Sequence, residues 1–303
     1  MPLFSIIIAV YNDWTALDPC LHSLAQQTDG PDFEVIVVDD GSDEAAPEII
    51  RQWADRLPLT IDRQPHAGIS AARNRGIQVS KGSILVFVDA DCRLQPHCLA
   101  ALASTIAASL QHSSFQLRLV GDGRGIVGRA EELRLITLQS HLLQPNGCIR
   151  YLNTAGFAIR RSKVDIERGL FDPSAVRAED TLLLANLIQR EELPFFVTDA
   201  IIQHDVPLSL LECFRKDIRS ALLEGRTFDL IASKGIRIRM SHRERLRVLW
   251  SMWKVSKQPS IGRSAWFVLT VRQSLQRITS LIYPRLRNRY DSRTENFSSG
   301  TRL

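Results

Sequence analysis

Ser83-Ile84-Leu85-Val86-Phe87-Val88-Asp89-Ala90-Asp91 is the stretch on which the fold turns. The apolar run over 84–88, with no polar alternation, predicts a strand buried on both faces of a parallel sheet. The run stops at two carboxylates one residue apart, and ligands of open α/β sheets gather beyond the carboxyl ends of such strands. Acids this close repel each other and are costly to desolvate unless a cation sits between or beside them. Hard oxygen donors suit Mg²⁺ or Mn²⁺ shared with substrate phosphates. Taken alone, an Asp-x-Asp reads more readily as a solvated turn.

Its company changes that reading. Phe4-Ser-Ile-Ile-Ile-Ala-Val10 ends in Tyr11-Asn12-Asp13, and Phe33-Glu-Val-Ile-Val-Val38 ends in Asp39-Asp40-Gly41-Ser42. Parallel topology would bring all three acid-bearing loops to one rim. Between the second and third runs, Gly68 relaxes the backbone before a small-residue helix start. Arg73 and Arg75 there offer charge to an anion or line an exposed helix face.

The ordered set Ser5-Ile-Ile-Ile-Ala-Val-Tyr-Asn12, Val37-Val-Asp-Asp-Gly-Ser42, Gly68-Ile-Ser-Ala-Ala-Arg-Asn-Arg-Gly76 and Val88-Asp-Ala-Asp91 resembles the glycosyltransferase family 2 nucleotide-sugar transferases. Asn153-Thr-Ala-Gly-Phe-Ala-Ile-Arg-Arg161, Gly169-Leu-Phe-Asp172, Ala178-Glu-Asp180 and Asp199-Ala-Ile-Ile-Gln-His204 extend the likeness over roughly residues 3–205. The resemblance implies an α/β fold of GT-A type with a mainly parallel central sheet. It also implies a divalent metal, Mn²⁺ or Mg²⁺, a nucleoside-diphosphate sugar donor and inversion at the anomeric carbon.

It further assigns roles. Asp40 would accept a hydrogen bond from the nucleobase edge, which favours UDP without excluding a guanosine donor. Tyr11 and Asp13 would lie near the base, although Asp13 is as well placed to cap a helix from Trp14. Asp89 would reach the ribose or the metal, and Asp91 would ligate the cation. His204 would complete the metal shell or meet the diphosphate. Gly156 would pass near the donor sugar. Asp180 would be the general base that takes the acceptor hydroxyl's proton, at the start of a helix over 181–188; the alternative for either Glu179 or Asp180 is a capping role alone.

Gly121-Asp-Gly123-Arg-Gly125-Ile-Val-Gly128 imitates a dinucleotide-binding loop. No acid stands between Leu133 and Val164 to hold a ribose, so it reads as a flexible loop near the acceptor side.

The net charge of +5 conceals a division. Residues 1–205 carry 18 basic against 26 acidic side chains, and residues 206–303 carry 20 against 7. The expected organisation is a catalytic domain over 1–206, a helical basic extension over 207–289 and a disordered tail over 290–303. In the extension, Leu208–Leu223 has an apolar stripe, while 243–253 and 265–277 mix aromatics with cations. Two readings stand: an interfacial contact with an anionic membrane, or a helical cap on the catalytic domain. No nucleic-acid recognition motif is present. Five dispersed cysteines suit a reducing compartment, and no signal peptide or membrane-spanning run is evident, so the expected place is the cytoplasm or the inner face of the plasma membrane. The acceptor would be a glycan or a lipid-linked hydroxyl. The rival from another class is a non-catalytic nucleotide-sugar or membrane-surface binding module on the same fold.

Overall fold

The computed structural model describes residues 2–298 apart from Pro207, Arg237 and Arg239, with side chains along the last helix described to Ser280 and at Ile282. The apolar runs form β1 (Phe4–Val10) and β2 (Phe33–Asp39), followed by β3 (Leu59–Arg63) and β4 (Ile84–Phe87), a parallel set in the order β3-β2-β1-β4. β7 (Phe157–Arg160) pairs antiparallel with β4. Beyond it lie β6 (Ser114–Gly121), β8 (Phe195–His204) and the short β5 (Cys92–Leu94), completing an eight-stranded, mainly parallel sheet.

The unbroken hydrophobicity of the strands follows from helices on both faces. Ile6, Ile8, Val35, Val37 and Val86 pack on α1 (Trp14–Ala25) and α4 (Cys98–Ala108). Alternate residues Ile7, Leu85 and Phe87 pack the other way, on α3 (Ile69–Val79) and α6 (Glu179–Gln189). Val10 is paired with Asp39 and Ile7 with Phe87, so the loops after β1, β2 and β4 emerge at one rim.

The glycine run after β6 is the turn into α5 (Gly125–Leu142), with Gly123 and Gly125 in the left-handed region. On α5 rests the C-terminal extension, made of α7 (Leu210–Ser233), α8 (His242–Val255) and α9 (Arg263–Ser298). Ser209 with Glu212 and Ser241 with Glu244 form capping boxes that start α7 and α8. Val248, Met252, Ala265, Val268 and Leu269 close over Ala130 and Leu133, so the inner side of the extension is continuous with a core. The short α2 (Glu48–Arg51) packs beside α1 and leads into the 3-10 turn that meets β3. The backbone of α9 runs through much of the segment expected to be disordered, and residues 299–303 lie outside the described residues. Among the described residues, no helix is long and apolar enough to cross a membrane.

Candidate active site

The rim carries two clusters of polar side chains, and a buried arginine braces the Asp-x-Asp loop against α6. At the β2 end, Asp39 caps the following turn by accepting from the Ser42 amide (2.8 Å), leaving Asp40 for the cleft. Asp40 is almost fully buried, and its carboxylate accepts from Gln64 Nε2 (2.7 Å) and the amides of Ala67 and Gly68 (both 2.9 Å). His66 Nδ1 lies 2.9 Å from Oδ2 while hydrogen-bonded to the Asp40 carbonyl (3.1 Å), and the His66 ring stacks on Tyr11 with centroids 4.1 Å apart. Three donors thus hold the carboxylate, and His66 covers its remaining side. The half-exposed His66 is the donor most readily exchanged. Gly41 lets the His66 backbone come close: its φ is +76°, and a Cβ there would sit 2.5 Å from the His66 backbone nitrogen. A cavity of about 320 Å³ opens beside His66 and Gly68, with Val176 on its far wall.

At the β4 end the register of β5 against β8 decides the geometry. Cys92 pairs with His204, and the Asp205 amide donates to the Asp91 carbonyl (2.9 Å). Asp91 Oδ2 thereby comes within 3.3 Å of His204 Nε2. His204 Nδ1 faces Glu131 of α5 at 3.8 Å, and Glu131 is clamped by Arg134. Burial alone would push the imidazole down, but Asp91 and Glu131 outweigh it and raise His204 to about 10. Burial also opposes ionisation of Asp91, and His204 reverses that, holding its carboxyl below the usual range.

Among the described residues, the one group with metal-ligand spacing is Asp91, Cys92 and His204, whose ligand atoms lie within 4.8 Å of one another. The Cys92 thiol is fully buried and pushed well up, so it stays protonated and is a poor ligand for a hard cation. Asp91 and His204 fit a divalent ion, with Glu131 orienting the imidazole from behind. A proton on His204 and a cation would compete for the same pair. Burial and the charge of Asp91 raise the carboxyl of Asp13, which stands at the N-cap position of α1, and the Ala16 amide opposes the rise.

Arg73, expected to offer charge to the donor's anion, is instead 2% exposed, and its fork is filled. Nη2 donates to Asp89 Oδ1 (2.8 Å) and Nη1 to Glu179 Oε1 (2.6 Å), so the arginine struts the Asp-x-Asp loop against α6. Asp89 is thus engaged by Arg73 and is not part of the Asp91, Cys92 and His204 group. The strut fixes Asp180, which follows Ala178 in a left-handed conformation (φ 60°) at the start of α6. That conformation is strained for alanine and sets the direction in which the acid pair leaves the loop. Burial, and then the charge of Glu179, raise Asp180 to about 7. Its Oδ1 accepts from the Thr181 amide (2.6 Å). Gly156 is buried under Leu119 and Ile202, with its carbonyl taken by Gln116 (2.8 Å), which makes it a packing position.

A cleft of about 1050 Å³ separates the metal-ligand pair from the extension, lined among others by His204, Glu131, Arg177, Lys216 and Leu269. Lys216, on the α7 wall, acts on the charges of both Asp13 and Asp91. His66, Glu131 and Lys216 are neighbours that the sequence reading did not single out. The only available signal was the position of His66, just beyond β3 at the shared rim.

The description "Glycosyl transferase family 2" belongs to the protein-family model that matches residues 5–169. Glycosyltransferase AglE of Haloferax volcanii is 39% identical over 113 residues, 36% of this chain and 37% of that protein. A PGL/p-HBAD biosynthesis glycosyltransferase of Mycobacterium bovis is 40% identical over 108 residues, 35% of this chain and 42% of its own. The matched stretches span between 20% and 42% of the length of the curated relatives. Among solved structures, the mannosyltransferase PcManGT of Pyrobaculum calidifontis, in complex with GDP-Man and Mn²⁺, superposes with a TM-score of 0.61 at 17% identity, covering 93% of this chain and 87% of that one. S. aureus TarS 1–349 in complex with UDP-GlcNAc gives 0.56 at 17%, covering 93% and 91%. Both place the chain in the same fold.

Proposed function

The chain belongs to glycosyl transferase family 2, and from that premise we propose that it is a metal-dependent, inverting glycosyltransferase. It moves a sugar from a nucleoside diphosphate, UDP favoured, to a hydroxyl of a glycan or lipid-linked acceptor. The observation that carries this reading is the convergence of a carboxylate–imidazole pair, Asp91 and His204, and a raised carboxyl, Asp180, on one rim.

The base end is Tyr11, His66 and Asp40. The Tyr11 ring offers a face for stacking, and a base N–H takes the position on Asp40 that His66 occupies, with the Ala67 and Gly68 amides keeping the carboxylate in place. Asp91 and His204 hold the divalent cation. An imidazole ligand favours Mn²⁺ over Mg²⁺, and the neighbours bound to UDP-GlcNAc and to GDP-Man with Mn²⁺ support donor and ion alike. When bound, the ion supplies positive charge against which a diphosphate can leave. Asp13 and Lys216 flank the same place, the lysine adding charge from the extension.

Asp180 acts on the acceptor. Its ionised carboxylate takes the proton of the acceptor hydroxyl as that oxygen bonds to the anomeric carbon. The bond from that carbon to the diphosphate oxygen breaks on the opposite face, its electron pair leaving with the nucleoside diphosphate. A base poised near neutrality combines a useful ionised fraction with strong proton affinity. Arg73 positions it through Glu179 and keeps Asp89 in register. The cleft walled by α7 and α9 receives the acceptor, and its mixed lining of cations and Leu269 suits an amphipathic one.

The test is a panel of UDP- and GDP-sugars with Mn²⁺, followed by proton NMR of the released or transferred sugar. Donor turnover with inverted anomeric configuration, abolished in Asp180→Asn, supports the reading. A retained configuration, or no turnover of any donor with undiminished nucleotide binding, overturns it.

A further inference from the structure

The extension has an outer side whose chemistry the transfer reaction does not use. Between Glu244 and Asp291 the sequence has ten basic residues and no acidic one. On α8, exposed positions recur at helical spacing as Arg243, Leu246, Arg247, Trp250 and Lys254, opposite the inward-facing Val248 and Met252. The one acid of this helix, Glu244, is turned away from that stripe by its capping of Ser241 and its pairing with Arg150. On α9, Phe267 and Val271 lie exposed opposite Ala265 and Leu269. Lys257 and Arg263 flank the turn between the helices and are also exposed.

Leu246, Trp250 and Phe267 are each 60–67% exposed, a heavy apolar load for a solvated face. Tryptophan and cation are interleaved: Lys254 Nζ lies 3.4 Å over the Trp250 ring, and the Arg263 guanidinium 3.9 Å over Trp253, which meets Trp266 edge-on at 5.0 Å.

We infer that this outer face of α8 and the first turns of α9 docks on an anionic lipid bilayer. A layer of phosphates answers the exposed cations. The acyl boundary beneath it takes Leu246, Trp250 and Phe267, which a purely anionic partner such as nucleic acid would leave in water. The same two helices wall the acceptor cleft on their inner side. Docking therefore holds the cleft about one helix diameter, ~10 Å, from the headgroups, within reach of an acceptor anchored in the leaflet. That consequence for the acceptor rests on the transferase reading; the docking itself does not.

The experiment is co-sedimentation of the full chain, without donor, on vesicles of phosphatidylcholine alone and with 30% phosphatidylglycerol. The anionic vesicles should bind at least tenfold more protein, and 0.5 M NaCl should remove most of it. Arg247→Glu with Lys254→Glu, and separately Trp250→Ser with Phe267→Ser, should each lose tenfold or more, while melting temperature and UDP–Mn²⁺ binding stay unchanged. Equal binding to both vesicle types, no binding to either, or competition of bound protein off the vesicles by RNA would overturn the inference. Vesicle binding by a protein that turns over no donor would leave docking intact and sink only the transferase reading.

Discussion

Replacing Asp180 by asparagine should abolish turnover and at the same time stabilise the fold. In the folded chain the carboxyl is raised from 3.8 to about 7 by burial and by Glu179, so ionising it at the head of α6 works against folding. The sign follows from proton counting. Between pH 4 and 7 the unfolded chain has lost this proton and the native chain keeps it, so native stability falls as pH rises through that window and levels off above 7. At ~1.4 kcal/mol per pH unit the upper limit is about 4 kcal/mol. Asp180 retains some contact with water and shares its field with Glu179, so ~1–3 kcal/mol is the expected gain for Asn at pH 8. The asparagine oxygen can still accept from Thr181. Urea melts of both proteins from pH 4 to 9 give the difference, which should grow to pH 7 and then stay flat. Over the same range kcat/KM of the unmutated enzyme should rise along an acid limb near 7, the free-enzyme base. An Asn variant less stable than the parent at pH 8, or a difference that ignores pH, would refute the reasoning.

The strut should fail in a characteristic way. Arg73→Met leaves Asp89 and Glu179 without their buried partner and should cost ~3–5 kcal/mol in urea melts; it also removes a charge that lowers Asp180, so any residual activity should have its acid limb above 7. Arg73→Lys keeps the charge but not the fork, and should recover stability better than rate. Gly41→Ala forces a side chain into φ +76° beside His66, at ~1–2 kcal/mol before any clash, and calorimetry should show UDP affinity falling more than tenfold. Mn²⁺ binding at pH 8 should release about one proton, because His204 is charged until about 10 and ligates only when neutral; titrations in buffers of different ionisation enthalpy count it, and zero protons released would remove His204 from the shell.

Much of the frame was legible in the chain. β1, β2 and β4 announced themselves because both faces of a parallel strand are covered, leaving no polar alternation to confuse with a helix. Asp40, Asp91, Asp180 and His204 were legible as acids and a base at strand or helix ends. Arg73 was misjudged because its helix buries small and polar residues, Ser70, Ala72 and Asn74, so no hydrophobic stripe marked the inward face. Glu131 and Lys216 were invisible for another reason. One meets His204 through the packing of α5 and the three-residue β5, too short to read, and the other arrives on a helix that closes over the cleft only in three dimensions. On α8 and α9 the inner face could be read from apolar positions, but on α7 the stripe within Leu208–Leu223 misled: Cys213, Asp217, Ser220 and Ala221 are buried, while Leu211 and Ile218 are exposed.

Pulsed EPR on Mn²⁺ bound to the full chain with UDP tests the central claim most directly. The account predicts one ion that couples at once to an imidazole nitrogen and to phosphorus, the nitrogen signal vanishing in His204→Ala and binding collapsing in Asp91→Asn. Mn²⁺ bound without either coupling, or unaffected by both substitutions, would contradict it.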